Sequence, residues 1–97
     1  MPQILGYAVI GAGGDQRQSS GLAKMQHVEA GMWNLHFDFS VEEACEVASI
    51  ANPETAGWIT AYGVPTLGDN VVQVCMGLIV EGEPEKADLT FQVLVVS

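Results

Sequence analysis

Basic residues are scarce in this chain. Three Lys and Arg stand against twelve Asp and Glu, which gives a formal net charge of −9. Proteins that bind nucleic acid need basic side chains to displace the counterions of the phosphates, so nucleic acid is not a predicted partner. An anionic membrane surface is disfavoured for the same reason. The acidity instead suits solubility, or contact with a cation or a basic partner.

Long hydrophobic runs are also missing. The longest uncharged segments, residues 1–14 and 55–68, are too short and too rich in glycine to span a bilayer, so membrane insertion is not predicted. The opening "MPQILGYAVIGAGG" has no basic residue before its apolar stretch and does not predict a secretory signal peptide. Apolar residues nevertheless make up 48% of the chain and charged residues only 15%. This balance predicts one small globular domain over residues 1–97, not a disordered or coiled-coil chain.

Cysteine is limited to Cys45 and Cys75. Two cysteines do not favour a disulfide over two buried thiols, and whether they pair stays open. A nucleophilic Cys45 would need a basic partner to lower its pKa, and the sequence nominates none. We therefore expect Cys45 to be a buried thiol in a sheet.

The motifs of common enzyme sites are absent as well. Residues 7–14, "YAVIGAGG", resemble the start of a dinucleotide-binding unit, but Gln16 stands where the third glycine is needed and the residues after it are a poor helix start. The chain has no Gly-Lys-Ser/Thr phosphate loop and no Gly-x-Ser-x-Gly of a serine hydrolase. We expect no cofactor and no enzymatic activity. Residues 11–21, "GAGGDQRQSSG", are interpreted as a loop that is either disordered or shaped by a neighbouring subunit.

The clearest pattern is the alternation in "WNLHFDFS", residues 33–40. Its large apolar side chains are Trp33, Leu35, Phe37 and Phe39, and polar residues stand between them. A period of two predicts a strand with one buried face and one solvated face. Further β-rich segments lie at 4–10, 22–28, 57–64, 70–80 and 89–97, with turn signals at 29–31 and 81–88. We therefore predict an all-β fold, a single small jelly-roll-like β-sandwich of about seven short antiparallel strands.

One segment, residues 41–52, allows two interpretations. Ser40 with Glu43 three residues later is a helix start signature, and Asn52 before Pro53 is a stop. A short helix would fit these signals. The alternative is a turn at Glu42 and Glu43, followed by a strand over residues 44–50.

Few side chains are candidates for a binding site. Trp58 and Tyr62 share one face of a strand and are equally compatible with the core or with an exposed binding surface. In the second case they would bind glycans or another small ligand together with loop 11–21. His36 shares its solvated face with Asp38 and could form a weak metal site. His27 and His36 could also pair around a metal if their strands are adjacent and in register. Two solvent-facing histidines on a hairpin are the simpler interpretation.

The second half of the chain resembles a small C-terminal β-domain of bacterial surface, collagen-like and phage tail-fibre-like proteins. The resemblance is carried by "GMWNLHF", "VEEACEVASI", "NVVQV" and "FQVLV", and more loosely by "GYAVIGAGG". It implies that residues 44–50 form a strand. Members of that group often end in cysteine, whereas this chain ends in Ser97, which weakens any carry-over of a disulfide to Cys45.

The functional expectation combines the resemblance with the last segment, "LTFQVLVVS". Leu89, Phe91, Val93 and Val95 can serve the core, which leaves Leu94 and Val96 for an oligomer interface. We predict a non-enzymatic structural or assembly module of a virion, fibre or cell surface. By analogy with fibre tips it would be a homotrimer, with other structural proteins or surface glycans as further partners. The alternative is a β-sandwich module that binds glycans or another small ligand.

Overall fold

The structure is a computed structural model that describes residues 3–51 and 56–97, and it confirms the all-β prediction. Nine strands occur among these residues. They are β1 (Ile4–Ile10), β2 (Gln16–Ser20), β3 (Leu22–Glu29), β4 (Met32–Phe37), β5 (Cys45–Ile50), β6 (Gly57–Gly63), β7 (Val71–Val80), β8 (Glu83–Lys86) and β9 (Phe91–Val96). None of the described residues forms a helix that could cross a membrane.

The strands form two antiparallel sheets that pack into a small β-sandwich. Sheet A has the order β2-β1-β9-β5, and sheet B has the order β3-β4-β7-β6, with β8 paired to β7. The chain passes between the sheets four times, and its first and last strands, β1 and β9, are neighbours in sheet A. A sheet that pairs both ends of the chain holds its register through long-range contacts.

The core lies between the sheets and is built by the alternation that the sequence shows. Trp33, Leu35 and Phe37 of β4 are buried there, together with Val72, Val74 and Met76 of β7. From sheet A, the core receives Ala8, Ile10, Phe91, Val93 and Val95. Phe39 follows the end of β4, and its ring packs against Phe37 with 5.1 Å between the centroids. The predicted buried face of "WNLHFDFS" is therefore confirmed.

The strand interpretation of residues 44–50 is confirmed, and the helix interpretation is wrong for the described part of 41–52. A turn at Glu42 and Glu43 is closed by the hydrogen bond from the Ala44 amide to the Val41 carbonyl, at 3.1 Å. β5 then pairs with β9 over its whole length. This pairing satisfies backbone groups that a helix of about three turns would leave open at its ends, so tertiary context outweighs the local cap signal. Asn52 and Pro53 lie outside the described residues.

The interpretation of residues 11–21 as one loop is wrong for its second half. Only residues 11–15 form a turn, closed by the hydrogen bond from the Gly11 amide to the Asp15 carbonyl at 2.8 Å. Residues 16–20 are strand β2, which pairs with the free edge of β1. Every residue of β2 is exposed, so the strand has none of the apolar alternation by which sequence reveals a strand. The same holds for β8, in the segment predicted as a charged turn.

Candidate functional site

The outward side of sheet A has no charged side chain at its paired positions, and Arg17 lies at the irregularity opposite Val9 and Ile10, outside the pairs. Cα partners on neighbouring strands point to the same side, and Tyr7, Leu94 and Val47 form one such row. A second row places Val9 beside Gln92 and Ser49. We call this surface the uncharged face and define it by Tyr7, Val9, Gln18, Ser20, Cys45, Val47, Ser49, Gln92, Leu94 and Val96.

The uncharged face includes both residues predicted for an oligomer interface. Leu94 and Val96 are half-buried and alternate with the buried Val93 and Val95, so they point away from the core. Val47 lies beside Leu94 and is 52% exposed. The structure thus brings the two predicted residues together with an apolar neighbour on β5, whose outward position the sequence left open.

The outward side of sheet B carries a row of polar side chains, three of which are joined by hydrogen bonds. Gln26, Asn34, Gln73 and Tyr62 stand side by side on four consecutive strands. The Gln73 Nε2 donates to Asn34 Oδ1 at 3.0 Å, and the Tyr62 hydroxyl donates to Gln73 Oε1 at 2.6 Å. We call this surface the amide–aromatic face and define it by Gln26, Asn34, Trp58, Thr60, Tyr62 and Gln73.

Trp58 and Tyr62 share this face, as their spacing predicts. Trp58 is half-buried above Gly77 of β7, where a Cβ atom would come within 2.8 Å of the indole Cζ2. Tyr62 is 44% exposed, and its hydroxyl also lies 3.8 Å from the Cys75 Sγ. This hydrogen bond to the thiol, with partial burial, raises the pKa of Tyr62.

The turn at residues 11–15 does not join Trp58 and Tyr62. Gly14 packs against the Trp33 ring, which belongs to the core side of sheet B. Trp58 and Tyr62 lie on the other side of that sheet, since Ile59 and Ala61 between them pack against the core. The sequence suggested one ligand site made of Trp58, Tyr62 and residues 11–21, but the turn at residues 11–15 lies away from the two aromatic side chains. Gln73 and Asn34 lie beside them instead.

The residues considered for a metal site are placed apart. His27 lies opposite Trp33 on the core side, with 4.2 Å between the ring centroids, whereas His36 lies opposite Lys24 on the outward side. The His36 Nε2 is buried without a hydrogen-bond partner in the described part of the chain, and burial lowers the pKa of His36 with a further contribution from the Lys24 charge. Within residues 3–51 and 56–97, no group of three or more His, Cys, Asp or Glu side chains is arranged to hold a metal ion. A weak site at His36 and Asp38 stays a prediction.

His27 instead belongs to a contact that supports the tip of the β3–β4 hairpin. The Asp88 Oδ1 accepts a hydrogen bond from the Gly31 amide at 2.7 Å and lies 3.1 Å from the His27 Nε2. The segment before β9 is thereby tied to the hairpin turn predicted at residues 29–31.

An acidic concavity lies where β5 meets β6. It has a volume of about 190 Å³, and its lining includes Glu42, Glu46 and Asp69. Burial raises the pKa of Glu46, whose side chain points inward from β5 beside Gly63. The three carboxylates of the concavity have no cation beside them among the lining residues.

The two cysteines are unpaired and point away from each other. Cys45 is exposed on the uncharged face, so the expectation of a buried thiol there is wrong. Cys75 is half-buried on the outward side of sheet B, between Met32 and Thr60. The sandwich lies between the two thiols, and no disulfide joins them.

Comparisons with protein-family models, with curated proteins and with solved structures found no match to this chain.

Proposed function

We propose that this domain is a non-enzymatic structural module that assembles with copies of itself through the uncharged face of sheet A. The observation that supports this proposal is the lack of Asp, Glu, Lys and Arg on that face in a chain of net charge −9. Copies of an acidic protein repel one another over a distance of about 10 Å at moderate ionic strength. An uncharged surface lets two copies approach with the least repulsion.

The apolar side chains of the face supply the attraction. Val47, Leu94, Val96 and Tyr7 are partly or largely exposed in the single chain. Removing apolar surface from water contributes roughly 25 cal/mol per Å². Hydrogen-bonded Gln92 and Ser49, with 2.8 Å between Nε2 and Oγ, add a polar margin that needs no charged partner.

The size of the face favours a ring over a pair. Four strands about 4.8 Å apart and about six residues long at 3.3 Å per residue cover roughly 400 Å² in projection. A stable interface buries about 800 Å² per partner, so a second surface is needed. Strand β2 is fully exposed at the edge of the same sheet, and its backbone edge, unpaired within the described part of the chain, offers that second surface. A homotrimer in which each copy uses its face and its edge meets this requirement, and it agrees with the resemblance to fibre and surface proteins of bacteria and phages.

The mass of the particle in solution tests the proposal. By size-exclusion chromatography with light scattering, we expect about 31 kDa for a trimer of the 10.3 kDa chain. Val47→Glu places a carboxylate on the uncharged face and should return the protein to 10.3 kDa. Val28→Glu is the matched control, because Val28 is 46% exposed on the edge strand β3 of the other sheet.

Three results would contradict the proposal. The first is a wild-type chain that remains a monomer at millimolar concentration. The second is a Val28→Glu variant that dissociates as fully as Val47→Glu. The third is a dimer, which would retain assembly but exclude the threefold arrangement.

A further inference from the structure

We propose that the amide–aromatic face of sheet B is a binding site for a neutral saccharide. This face lies on the opposite side of the sandwich from the uncharged face, so the inference does not depend on the proposed assembly. It rests on three features of the described residues: two aromatic side chains held in place, one hydrogen-bonded pair of side-chain amides, and the placement of charge at the margin.

The aromatic side chains are held in place before any ligand arrives. Gly77 gives the Trp58 ring room against the sheet, and the hydrogen bond to Gln73 holds the Tyr62 ring. Trp58 and Tyr62 are four residues apart on one strand, which separates them by about 13 Å, with the Thr60 hydroxyl between them. The C–H faces of a sugar ring can stack on such rings, and fixed side chains lose little conformational entropy on binding.

The amides supply the polar half of the recognition. A side-chain amide both donates and accepts hydrogen bonds, which suits the hydroxyl groups of a sugar. Asn34 is only 6% exposed and serves mainly to hold Gln73. The more exposed Gln26, Gln73 and Thr60 present the groups that a ligand can reach. Polar groups that are already positioned by one another make a site without rearrangement.

The charges around the face favour a neutral ligand over an anionic one. None of the six residues that define the face is charged, although the chain has twelve acidic residues. Lys86 at one margin is held by Glu29, with 2.6 Å between Nζ and Oε1, and this contact raises the pKa of Lys86. A phosphate, sulfate or uronate would find Lys86 already paired, and although Lys24 stands beside Gln26 on the same side of β3, an anionic ligand would be repelled by the net charge of −9.

The same features make a protein partner the poorer choice. Protein interfaces have an apolar centre surrounded by a polar rim. Here Tyr62 is the one strongly exposed apolar side chain among the residues that define the face, and the centre is the Gln73–Asn34 pair.

Binding is tested with free oligosaccharides, so that assembly does not enter the result. We would titrate chitohexaose, cellohexaose, mannohexaose and xylohexaose into the full chain, following tryptophan fluorescence and isothermal heat. Heparin and polygalacturonate serve as anionic probes. We expect at least one neutral hexasaccharide to bind. Trp58→Ala and Tyr62→Ala should each weaken binding about five- to tenfold.

Two controls keep the result interpretable. Leu67→Ala removes an apolar side chain that is 52% exposed and belongs to neither face, and it should leave saccharide affinity per chain unchanged. Gln73→Glu keeps the size of the side chain but adds a charge, and it should weaken binding at least as much as Tyr62→Ala. Far-UV circular dichroism confirms that each variant is folded.

The inference is overturned by any of three results. The first is that no neutral hexasaccharide binds at about 10 mM, roughly ten times a Kd of 1 mM. The second is that binding persists unchanged in both Trp58→Ala and Tyr62→Ala. The third is that only the anionic probes bind. In each case the mass measurements on the wild type and on Val47→Glu are unaffected by the saccharide result. Failure of the saccharide proposal is therefore distinct from failure of the assembly proposal.

Discussion

Replacement of Gly31 by alanine is expected to destabilise the sandwich much more than the same replacement at Gly82. Both glycines lie in hairpin turns with positive φ, 75° for Gly31 and 80° for Gly82. A side chain in this conformation costs roughly 1–2 kcal/mol at either position. Their surroundings differ, because a Cβ at Gly82 meets nothing within 4 Å. At Gly31, it would overlap the Met76 carbonyl oxygen and come within 2.9 Å of the Ala87 nitrogen.

The extra cost at Gly31 comes from backbone atoms that cannot move singly. The Gly31 carbonyl accepts from the Met76 amide at 2.8 Å, and the Gly31 amide donates to Asp88 at 2.7 Å. Relieving the overlap would stretch both bonds, and such overpacking costs typically about 1–3 kcal/mol. We therefore expect a loss of about 2–5 kcal/mol for Gly31→Ala and about 1–2 kcal/mol for Gly82→Ala.

Urea unfolding followed by tryptophan fluorescence gives both free energies of unfolding. In thermal unfolding, each 1 kcal/mol corresponds to roughly 4–8 °C in Tm for a domain of this size. Equal losses for the two variants would refute the reasoning, because they would show that the close approach at Gly31 contributes nothing. A Gly82→Ala variant less stable than Gly31→Ala would refute it more strongly.

Three further predictions concern side chains between or beside the sheets. Asp88→Ala should lower the free energy of unfolding by about 1–3 kcal/mol, because it leaves the buried Gly31 amide without its acceptor. Asp88→Asn retains an oxygen that can accept this hydrogen bond and should lose less. Urea unfolding of the two variants compares their free energies of unfolding. Glu46→Gln should raise stability at pH 7, because burial raises the pKa of Glu46 above its ordinary 4.5 and penalises the carboxylate. That penalty is absent below pH 4.5 and grows as the pH rises toward the folded-state pKa. The difference in stability between the wild-type protein and Glu46→Gln should therefore vanish in acid. A Glu46→Gln variant that is less stable than the wild type at pH 7 would contradict this. Val93→Ala removes two methyl groups from a fully buried site and should cost about 2–4 kcal/mol by urea unfolding, whereas Val28→Ala on the exposed edge should cost well under 1 kcal/mol.

Sequence alone was sufficient where a strand shows a regular alternation or a continuous apolar run. The alternation of Trp33, Leu35 and Phe37 predicts β4, and the apolar run at 71–80 predicts the central β7. Burial of alternate side chains is a local property of the strand, so no knowledge of its neighbours is needed. The net charge of −9 and the outward position of Leu94 and Val96 are likewise determined by sequence.

Edge strands and surface sites depended on the tertiary structure. All residues of β2 and β8 are exposed, so neither strand has an apolar pattern in its sequence. They are strands because their backbones pair with β1 and β7. β5 is a strand because β9 offers it a partner, against a local helix signal. Likewise, the period of two shows which side chains of one strand share a side, but register decides which strands are neighbours. The row of Gln26, Asn34, Gln73 and Tyr62, and the uncharged face around Val47 and Leu94, each join residues from strands far apart in sequence, and only the paired sheets bring them together.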